Sequence, residues 1–419
     1  MSESMEYKIS MNDLPWDEKT WKKFCKFVQK KYRWLDFTDE KFVEVHNKTN
    51  FTEYDANVIV RGLMDEFLDK NFPLRKYTST ETITKKLPIT TNVISDTYLF
   101  LSLKLAILQS NKKCTDVLDK YFLDIKMNYA SSFWHFYDFD EDIMGMLEIS
   151  GISYSDIVPG GICNIVRKML MDSYYATIHL DEFYLTEKES FDRLHLVREN
   201  LVYGFDDAKK VFLVYGFGKR EKMKTFEVSY DDFLLSFEKG RRFYFSGAGY
   251  LKMEWCYPVT RIGINDCGKF QLTEEYLLKK MQDFLYPKKS KTVNGEIQIY
   301  GSNVYQWIIE ELQGITGKET IDYRTFHLLY EHKRNIYRCL KKLCFDELSE
   351  NMKKNVAEYE TVVKEFNRIR VMYMRKVGIS IEKIRKNKVH KVYNVGGDFV
   401  YEFLKAVNSE TEIIKAMLD

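Results

Sequence analysis

The sequence predicts an α+β chain in which a mixed central region is flanked by two helical regions. Three runs of β-branched and aromatic residues between residues 174 and 217, separated by turn-forming residues, predict strands. Apolar residues at helical spacing towards both ends predict helices. We therefore expect a helical N-terminal segment over 1–80, an α+β domain over 81–299 and a C-terminal α-helical bundle over 300–419.

The N-terminal segment contains two stretches with helical character. Residues 17–32 form a charged amphipathic stretch, and residues 55–72 carry apolar side chains at helical spacing. A third, strongly apolar helix is predicted from Thr97 to about Leu108, where Ser95 or Asp96 can cap its first turn.

The central strands follow a short helix predicted over Ile162–Asp172. Tyr174–Leu185, Leu201–Phe205 and Val211–Phe217 are rich in residues that favour strands. The polar run Asp206–Lys210 turns the chain between the last two strands. Further along, the pattern predicts strands over Lys224–Val228 and Trp255–Ile264, a basic loop over Pro287–Asn294, and helices over Tyr230–Phe237, Thr273–Leu285, Val304–Leu312, Tyr323–Leu343, Glu347–Lys376 and Asp398–Leu418.

Composition excludes several classes of function. The net charge is +2, so no bulk field favours nucleic acid or an acidic membrane, and we expect neither as a partner. No run of about 18 apolar residues is present, and the N-terminus lacks the pattern of a secretory signal. The seven cysteines are odd in number and form no CxxC pair, so we expect no disulfide framework and a cytoplasmic protein.

A histidine and nearby acids are the first catalytic candidates. His195 precedes one predicted strand and Asp206 follows it, so the carboxylate could orient the imidazole as a base. The alternative is a loop histidine beside an ordinary turn aspartate. Asp181 and Glu182 end a strand, and at most one of them can face a common cleft because neighbouring strand residues point to opposite faces.

The sequence does not identify the nucleophile. Cys163 follows a Gly–Gly pair at a helix start, but its apolar neighbours favour a buried structural thiol. Cys114 lies among lysines. His327 and His332 are five apart on a predicted helix, which does not place them on one face, so we expect no metal site. No cofactor motif is present in a supporting context, and we expect no cofactor.

One block of the sequence resembles a known family: DEFYL (181–185), HLVRENLVYGFDD (195–207) and FLVYGF (212–217). It is similar to the butirosin-biosynthesis-H N-terminal domain, a papain-like, double-glycine-peptidase-like family of bacterial natural-product gene clusters. IDYRTFHLLYEHKRNIYRCL resembles a helix that follows in the same family. The resemblance covers roughly Leu87 to Asp419 and implies a papain-like, cysteine-peptidase-like central domain.

The resemblance implies acyl transfer or amide-bond formation on carrier-protein-bound thioesters. The partners would be a carrier protein, or its phosphopantetheine-linked acyl chain, and a small peptide or amine. In that chemistry a cysteine thiolate accepts the acyl group, a histidine is the base and an aspartate orients it. His195, Asp206 and Asp181 match the family's first histidine and two of its aspartates.

Two departures from the family pattern bear on catalysis. Arg198 replaces the second histidine, and no cysteine begins the helix after Asn92. Ser95, or a thiol from elsewhere such as Cys163, would then have to be recruited as the nucleophile. An alternative is a catalytically inactive papain-like protein that binds a carrier protein or a peptide product, and a third hypothesis is a cysteine peptidase.

Overall fold

A computed structural model describes most of the chain. The described residues are 7–10, 17–31, 42–45, 66–67, 70–71, 77, 82–129, 145–158, 160–245, 257–289, 291–293, 296–313, 324–343, 350–387 and 396–419.

Helices and strands alternate irregularly along the described residues. The helices are α1 Glu18–Lys31, α2 Leu99–Leu108, α3 Lys112–Leu118, α4 Ile162–Met171, α5 Tyr230–Phe245, α6 Glu274–Leu285, α7 Asn303–Leu312, α8 Arg324–Lys342, α9 Glu350–Asn387 and α10 Gly397–Leu418. The strands are β1 Tyr7–Ser10, β2 Phe42–Val45, β3 Thr84–Lys86, β4 Lys126–Tyr129, β5 Leu147–Ile152, β6 Tyr175–Asp181, β7 Val197–Asp206, β8 Val211–Phe217, β9 Met223–Ser229, β10 Val259–Ile264, β11 Lys291–Val293 and β12 Glu296–Tyr300.

The chain forms two compact units that interleave in sequence. The first unit comprises Met1–Thr91, Leu99–Ile107 and Leu147–Asn265. The second comprises Asn92–Tyr98, Leu108–Met146 and Asp266–Asp419. The boundaries at residues 80 and 299 expected from sequence remain a prediction.

A seven-stranded antiparallel sheet organises the described part of the first unit. Its order is β5-β10-β6-β7-β8-β9, and β3 pairs with the far end of β7. Every residue of β6 is buried, and α4 and α5 pack against this part of the sheet. β6 therefore forms the centre of the core, which explains its run of apolar side chains.

β7 has a bulge close to the residues with which β3 pairs. The β7–β8 register shifts between Val202 and Gly204. A Cβ atom on Gly204 would lie 2.6 Å from the carbonyl oxygen of Lys85, which is too close for any other residue type without movement. Glycine is therefore required at position 204, where β3 pairs with β7.

Asp207, just after β7, ties several elements together. Its carboxylate lies 2.8 Å from Nη2 of Arg167 on α4 and accepts the Tyr230 hydroxyl of α5 at 2.8 Å. It also accepts the backbone N–H of Ile83 at 3.3 Å. Burial opposes ionisation of Asp207, but Arg167 and Tyr230 hold its pKa below the usual value. Asp207 is thus a structural clamp between helices and sheet.

The second unit combines helices with a small sheet of order β11-β12-β4. β4 pairs antiparallel with β12, so a segment from early in the chain joins residues near 300. Helix α8 packs on α9, and α9 packs on α10. Phe326, Phe366 and Phe403, one from each of these helices, have their rings within 6.3 Å of a neighbour and fill the space between them.

A buried ion pair lies at the centre of these helices. Lys333 of α8 and Glu410 of α10 have fully buried side chains, with Nζ and Oε1 2.7 Å apart. Glu410 also accepts hydrogen bonds from the hydroxyls of Tyr305 and Tyr359. Burial lowers the pKa of Lys333, and Glu410 opposes that change. The pair is stable there because its members satisfy each other's charge and hydrogen-bonding capacity.

The structure confirms the expected α+β class. Helices α4, α6, α7, α8 and α10 match the helices predicted from sequence within about two residues, whereas α5 and α9 extend beyond their predicted ends. β11 replaces part of the predicted basic loop. The helix expected over 55–72 falls mostly outside the described residues. None of the described helices is long and apolar enough to cross a membrane.

We expect the change Glu410→Gln to destabilise the second unit by about 3–5 kcal/mol, because it leaves Lys333 buried without a counter-charge. Urea unfolding followed by circular dichroism measures this. Glu412→Gln on the same helix is the matched control: Glu412 pairs with Lys415 at the surface, and we expect no resolvable change. Equal stability of the two variants would contradict a role for the buried pair.

The double change Lys333→Met with Glu410→Leu separates lost charge balance from lost packing. Urea unfolding should show that it recovers only part of the stability that Glu410→Gln loses, because both charges leave the core but the buried hydroxyls of Tyr305 and Tyr359 lose their acceptor.

Candidate active site

His195 and Asp181 form a close pair in the first unit. Nδ1 of His195 lies 2.7 Å from Oδ2 of Asp181. Asp181 ends β6 opposite Val197, the first residue of β7, so the register brings His195, two residues before β7, close to the Asp181 carboxylate. The Asp181 side chain is fully buried, and that of His195 is 28% exposed. The structure thus brings together two of the residues selected from sequence.

The Asp181 carboxylate is fixed from several sides. Its Oδ1 accepts the backbone N–H groups of Phe183 and Leu196, each at 3.2 Å. The backbone carbonyl of Asp181 accepts the hydroxyl of Ser236 on α5 at 2.8 Å. A carboxylate held in this way can orient an imidazole, as in triads where an aspartate sets the histidine tautomer.

Aromatic rings fix the plane of the imidazole. The ring of Phe183 stacks on His195 with centroids 4.2 Å apart and an interplanar angle of 15°. Tyr184 approaches the imidazole at 5.8 Å. With Nδ1 directed at Asp181, proton transfer at His195 would run through Nε2, the arrangement of a general base.

Asp206, which the sequence predicted as the orienting acid, lies away from His195, and Asp181 occupies that position instead. β7 has ten residues and is about 30 Å long, and Asp206 lies at the end opposite His195. Its carboxylate accepts the N–H of Lys209 at 3.1 Å in the turn before β8. The alternative interpretation of Asp206, an ordinary turn residue, is the one observed.

Cys163 is a buried thiol rather than an exposed nucleophile. It lies in the first turn of α4 with no exposed surface, and its Sγ is 3.8 Å from the carbonyl oxygen of Tyr230. Burial, together with Glu238, raises the pKa of this thiol well above the usual value. A thiol in such surroundings carries almost no thiolate, the reactive form.

Ser95 belongs to the second unit and is also buried. Its hydroxyl donates to Oε2 of Glu331 at 2.7 Å. Glu331 accepts in addition the N–H of Asp96 and the hydroxyl of Thr97, each at 2.6 Å. The predicted capping segment is therefore held by a carboxylate of α8, and the Ser95 hydroxyl is used in that attachment.

The other described cysteines show no activation. Burial raises the pKa of Cys25 to about 11 and that of Cys339 to about 12. Cys114 and Cys267 form a disulfide, an exception to the expectation of unpaired thiols. Cys256 and Cys344 lie outside the described residues.

A second cluster of charges lies next to the His195 pair in sequence. Glu182 has a buried side chain, with its Oε1 3.4 Å from Nζ of Lys188 and 3.9 Å from Nη1 of Arg198. Lys188 also donates to Oδ1 of Asn200 at 2.5 Å. Asp181, the last residue of β6, and Glu182, which follows the strand, therefore have separate partners.

Asp96, His327 and Glu331 in the second unit have donor atoms close enough to hold a cation. Nε2 of His327 is 2.7 Å from Asp96 and 3.3 Å from Glu331. Burial disfavours a charged imidazole, whereas the two carboxylates raise the pKa of His327 to about 9. Arg370 works against that protonation, because its guanidinium lies 2.7 Å from Nδ1 and can only donate.

The position of Arg370 argues against a metal in this cluster. A metal bound at Nε2 would leave the ring proton on Nδ1, where it would face the Arg370 donor. Histidine ligands normally donate that proton to an acceptor. In the observed contacts Nε2 faces the Asp96 carboxylate and Nδ1 faces the Arg370 guanidinium. His332 takes no part: it is fully buried, with Nε2 2.9 Å from the Leu123 carbonyl oxygen.

Comparison with known proteins does not assign a family. The chain matches no protein-family model, and a search of the curated proteins finds no match. The function must therefore be argued from the residues themselves.

We expect Cys163 to resist alkylation in the native protein, because it is buried and its pKa is raised. Iodoacetamide treatment at neutral pH followed by peptide mapping measures the labelled fraction at each cysteine. The same reaction in guanidinium chloride is the control and should label Cys163 fully. Rapid native labelling at Cys163 would contradict the buried position.

Proposed function

We propose that the protein transfers an acyl group from a carrier-bound thioester to an amine, with His195 as the general base. The observation that carries this proposal is the Asp181–His195 pair, in which a buried carboxylate at 2.7 Å directs a partly exposed imidazole. A buried carboxylate that is held at three points and orients a partly exposed imidazole is the arrangement of a general base with its orienting acid.

The chemistry needs only these two residues and the substrates. Asp181 keeps the proton of His195 on Nδ1, so that Nε2 can accept the proton of an incoming amine. The amine nitrogen then bonds to the thioester carbonyl carbon. The carbon–sulfur bond breaks, and the departing thiolate takes up the proton, which yields an amide and a free thiol.

Direct attack by the amine agrees better with the described residues than a covalent acyl-enzyme does. The thiol of Cys163 is buried with a raised pKa, and the hydroxyl of Ser95 is buried against Glu331. Thioesters are reactive enough that a positioned amine and a general base form a sufficient catalytic set. A covalent intermediate on a cysteine outside the described residues is the variant that the experiment below distinguishes.

The family resemblance supplies the substrate class. The block from Asp181 to Phe217 resembles papain-like proteins of natural-product gene clusters, and an antiparallel sheet with a histidine at a strand start agrees with that resemblance. A papain-like assignment of this unit, a carrier-protein partner and a cytoplasmic location are all part of the proposal. Neighbouring genes for carrier proteins and adenylating enzymes would support it further.

A second candidate function is binding without catalysis. It is favoured by the burial of Cys163 and Ser95 and by the presence of Arg198 where the family has a histidine. In that case the protein would hold a carrier protein or a peptide product without turnover.

The proposal predicts that His195→Ala lowers the rate of amide formation by about 10²- to 10⁴-fold, because it removes the general base. Asp181→Asn should lower it comparably by releasing the imidazole from its orientation. The assay follows amide product by mass spectrometry with acyl-pantetheine thioesters and a panel of amines.

Two matched variants serve as controls for this assay. Asp206→Asn makes the same chemical change at the turn aspartate and should leave the rate unaltered. Cys163→Ser should also retain activity. An intact mass that shows an acyl adduct would indicate the covalent route instead. Thioester binding without turnover, unchanged in His195→Ala, would support the binding protein.

A further inference from the structure

We propose that the Cys114–Cys267 disulfide is a modification site that opens by exchange with a small thiol carrying carboxylates. The inference concerns the second unit alone and does not depend on the acyl-transfer proposal. It rests on the unequal exposure of the two sulfurs and on the cavity beside one of them.

The two cysteines lie in different surroundings. Cys114 belongs to the short helix α3 and has no exposed surface. Cys267 is half-exposed and lies in the segment between β10 and α6. The bridge links positions 153 residues apart in sequence, with Cα atoms separated by 5.2 Å. An external thiolate can therefore reach the sulfur of Cys267 far more easily than that of Cys114.

A cavity of about 450 Å³ opens beside Cys267. This volume lies within the range of about 300–1,000 Å³ that is typical of small-molecule sites. The side chains of Tyr121 and Phe270 supply apolar surface, and Cys267 itself forms part of the wall. A small thiol seated there would have its sulfur next to the disulfide.

The charges of the cavity favour an anionic thiol. Lys120 and Lys269 line it together with one acid, Asp266, whose Oδ1 accepts the N–H of Gly268 at 3.2 Å. Among the described residues, the lining side chains thus carry one net positive charge. Positive potential in a partly enclosed site raises the local concentration of anions and the rate of their encounter.

The exchange is balanced without an added oxidant. The incoming thiolate bonds to Sγ of Cys267, and the bond between Cys267 and Cys114 breaks. Cys114 leaves as a thiolate and takes up a proton from water. The product is a mixed disulfide at Cys267, and attack by Cys114 on that bond restores the bridge.

The test compares three thiols on the full-length, air-oxidised protein: glutathione, which is anionic, 2-mercaptoethanol, which is neutral, and cysteamine, which is cationic. Acid quenching and non-reducing peptide mapping locate the adducts. We expect the adduct on Cys267, and a rate per thiolate about three- to tenfold higher for glutathione than for cysteamine at low salt. High salt should reduce the ratio.

Charge reversal identifies the side chains responsible. Lys120→Glu combined with Lys269→Glu should abolish or invert the preference for glutathione. Lys113→Glu is the matched control, because Lys113 is exposed on α3 beside Cys114 but does not line the cavity. This control should keep the preference.

Three outcomes would overturn the proposal. These are the absence of a linked Cys114–Cys267 peptide in the oxidised protein, an adduct that forms on Cys114 instead, and equal rates per thiolate for glutathione and cysteamine. The comparison of thiols uses the wild-type chain, so it decides the matter even if the charge-reversal variant does not fold.

Discussion

The antiparallel register of β6 and β7 is the constraint on which the candidate site depends. Asp181 pairs with Val197 across the two strands, and this pairing places His195 beside the Asp181 carboxylate. Side chains alternate between sheet faces, so a slip of one residue would turn Asp181 away from the imidazole. Because β6 is buried along its whole length, the core itself enforces the register that the His195–Asp181 pair requires.

Buried charges serve as specific connections in both units. Asp207 joins α4, α5 and the chain before β3, and the Lys333–Glu410 pair joins α8 to α10. Such groups are costly to bury, and an arrangement of the helices that left either of them unpaired would be strongly disfavoured. Their effect is to select one packing arrangement among several that the apolar side chains alone would allow. Asp181 is likewise a buried carboxylate with fixed partners, which are backbone N–H groups in place of a cation.

Local patterns in the sequence predicted individual helices much better than they predicted which strands or cysteines pair. Helices such as α6 and α7 were predicted closely, because apolar spacing and a cap such as Thr273 are encoded within a few residues. The sheet of β4, β11 and β12 was missed, because these strands are short and their pairing joins distant segments. The Cys114–Cys267 bridge was missed for the same reason, since no local spacing marks a pair 153 residues apart.

The candidate site shows the same limit at the level of single residues. His195 was selected as a histidine beside an acid, but its spacing in the sequence pointed to Asp206 as the partner, whereas the structure shows Asp181 there. The length of β7 excludes Asp206, which lies at the far end of the strand, about 30 Å from its start. Asp181 is close to His195 because β6 pairs antiparallel with β7 and ends opposite the first residue of β7. The pairing of Asp181 with His195 could have been predicted from two consecutive antiparallel strands, because the end of the first strand lies next to the start of the second.

A histidine oriented by a buried carboxylate, without an activated thiol among the described residues, restricts the chemistry available. Covalent catalysis needs a nucleophile with a lowered pKa or a neighbouring base, and Cys163 has neither, because burial and Glu238 both favour its protonated form. General-base catalysis needs only a correctly oriented imidazole and a substrate that brings its own nucleophile. Asp181 and Phe183 orient the imidazole of His195. An amine that attacks an activated acyl group would meet the second requirement, which is why we propose transfer to an amine and not hydrolysis through an enzyme thiol.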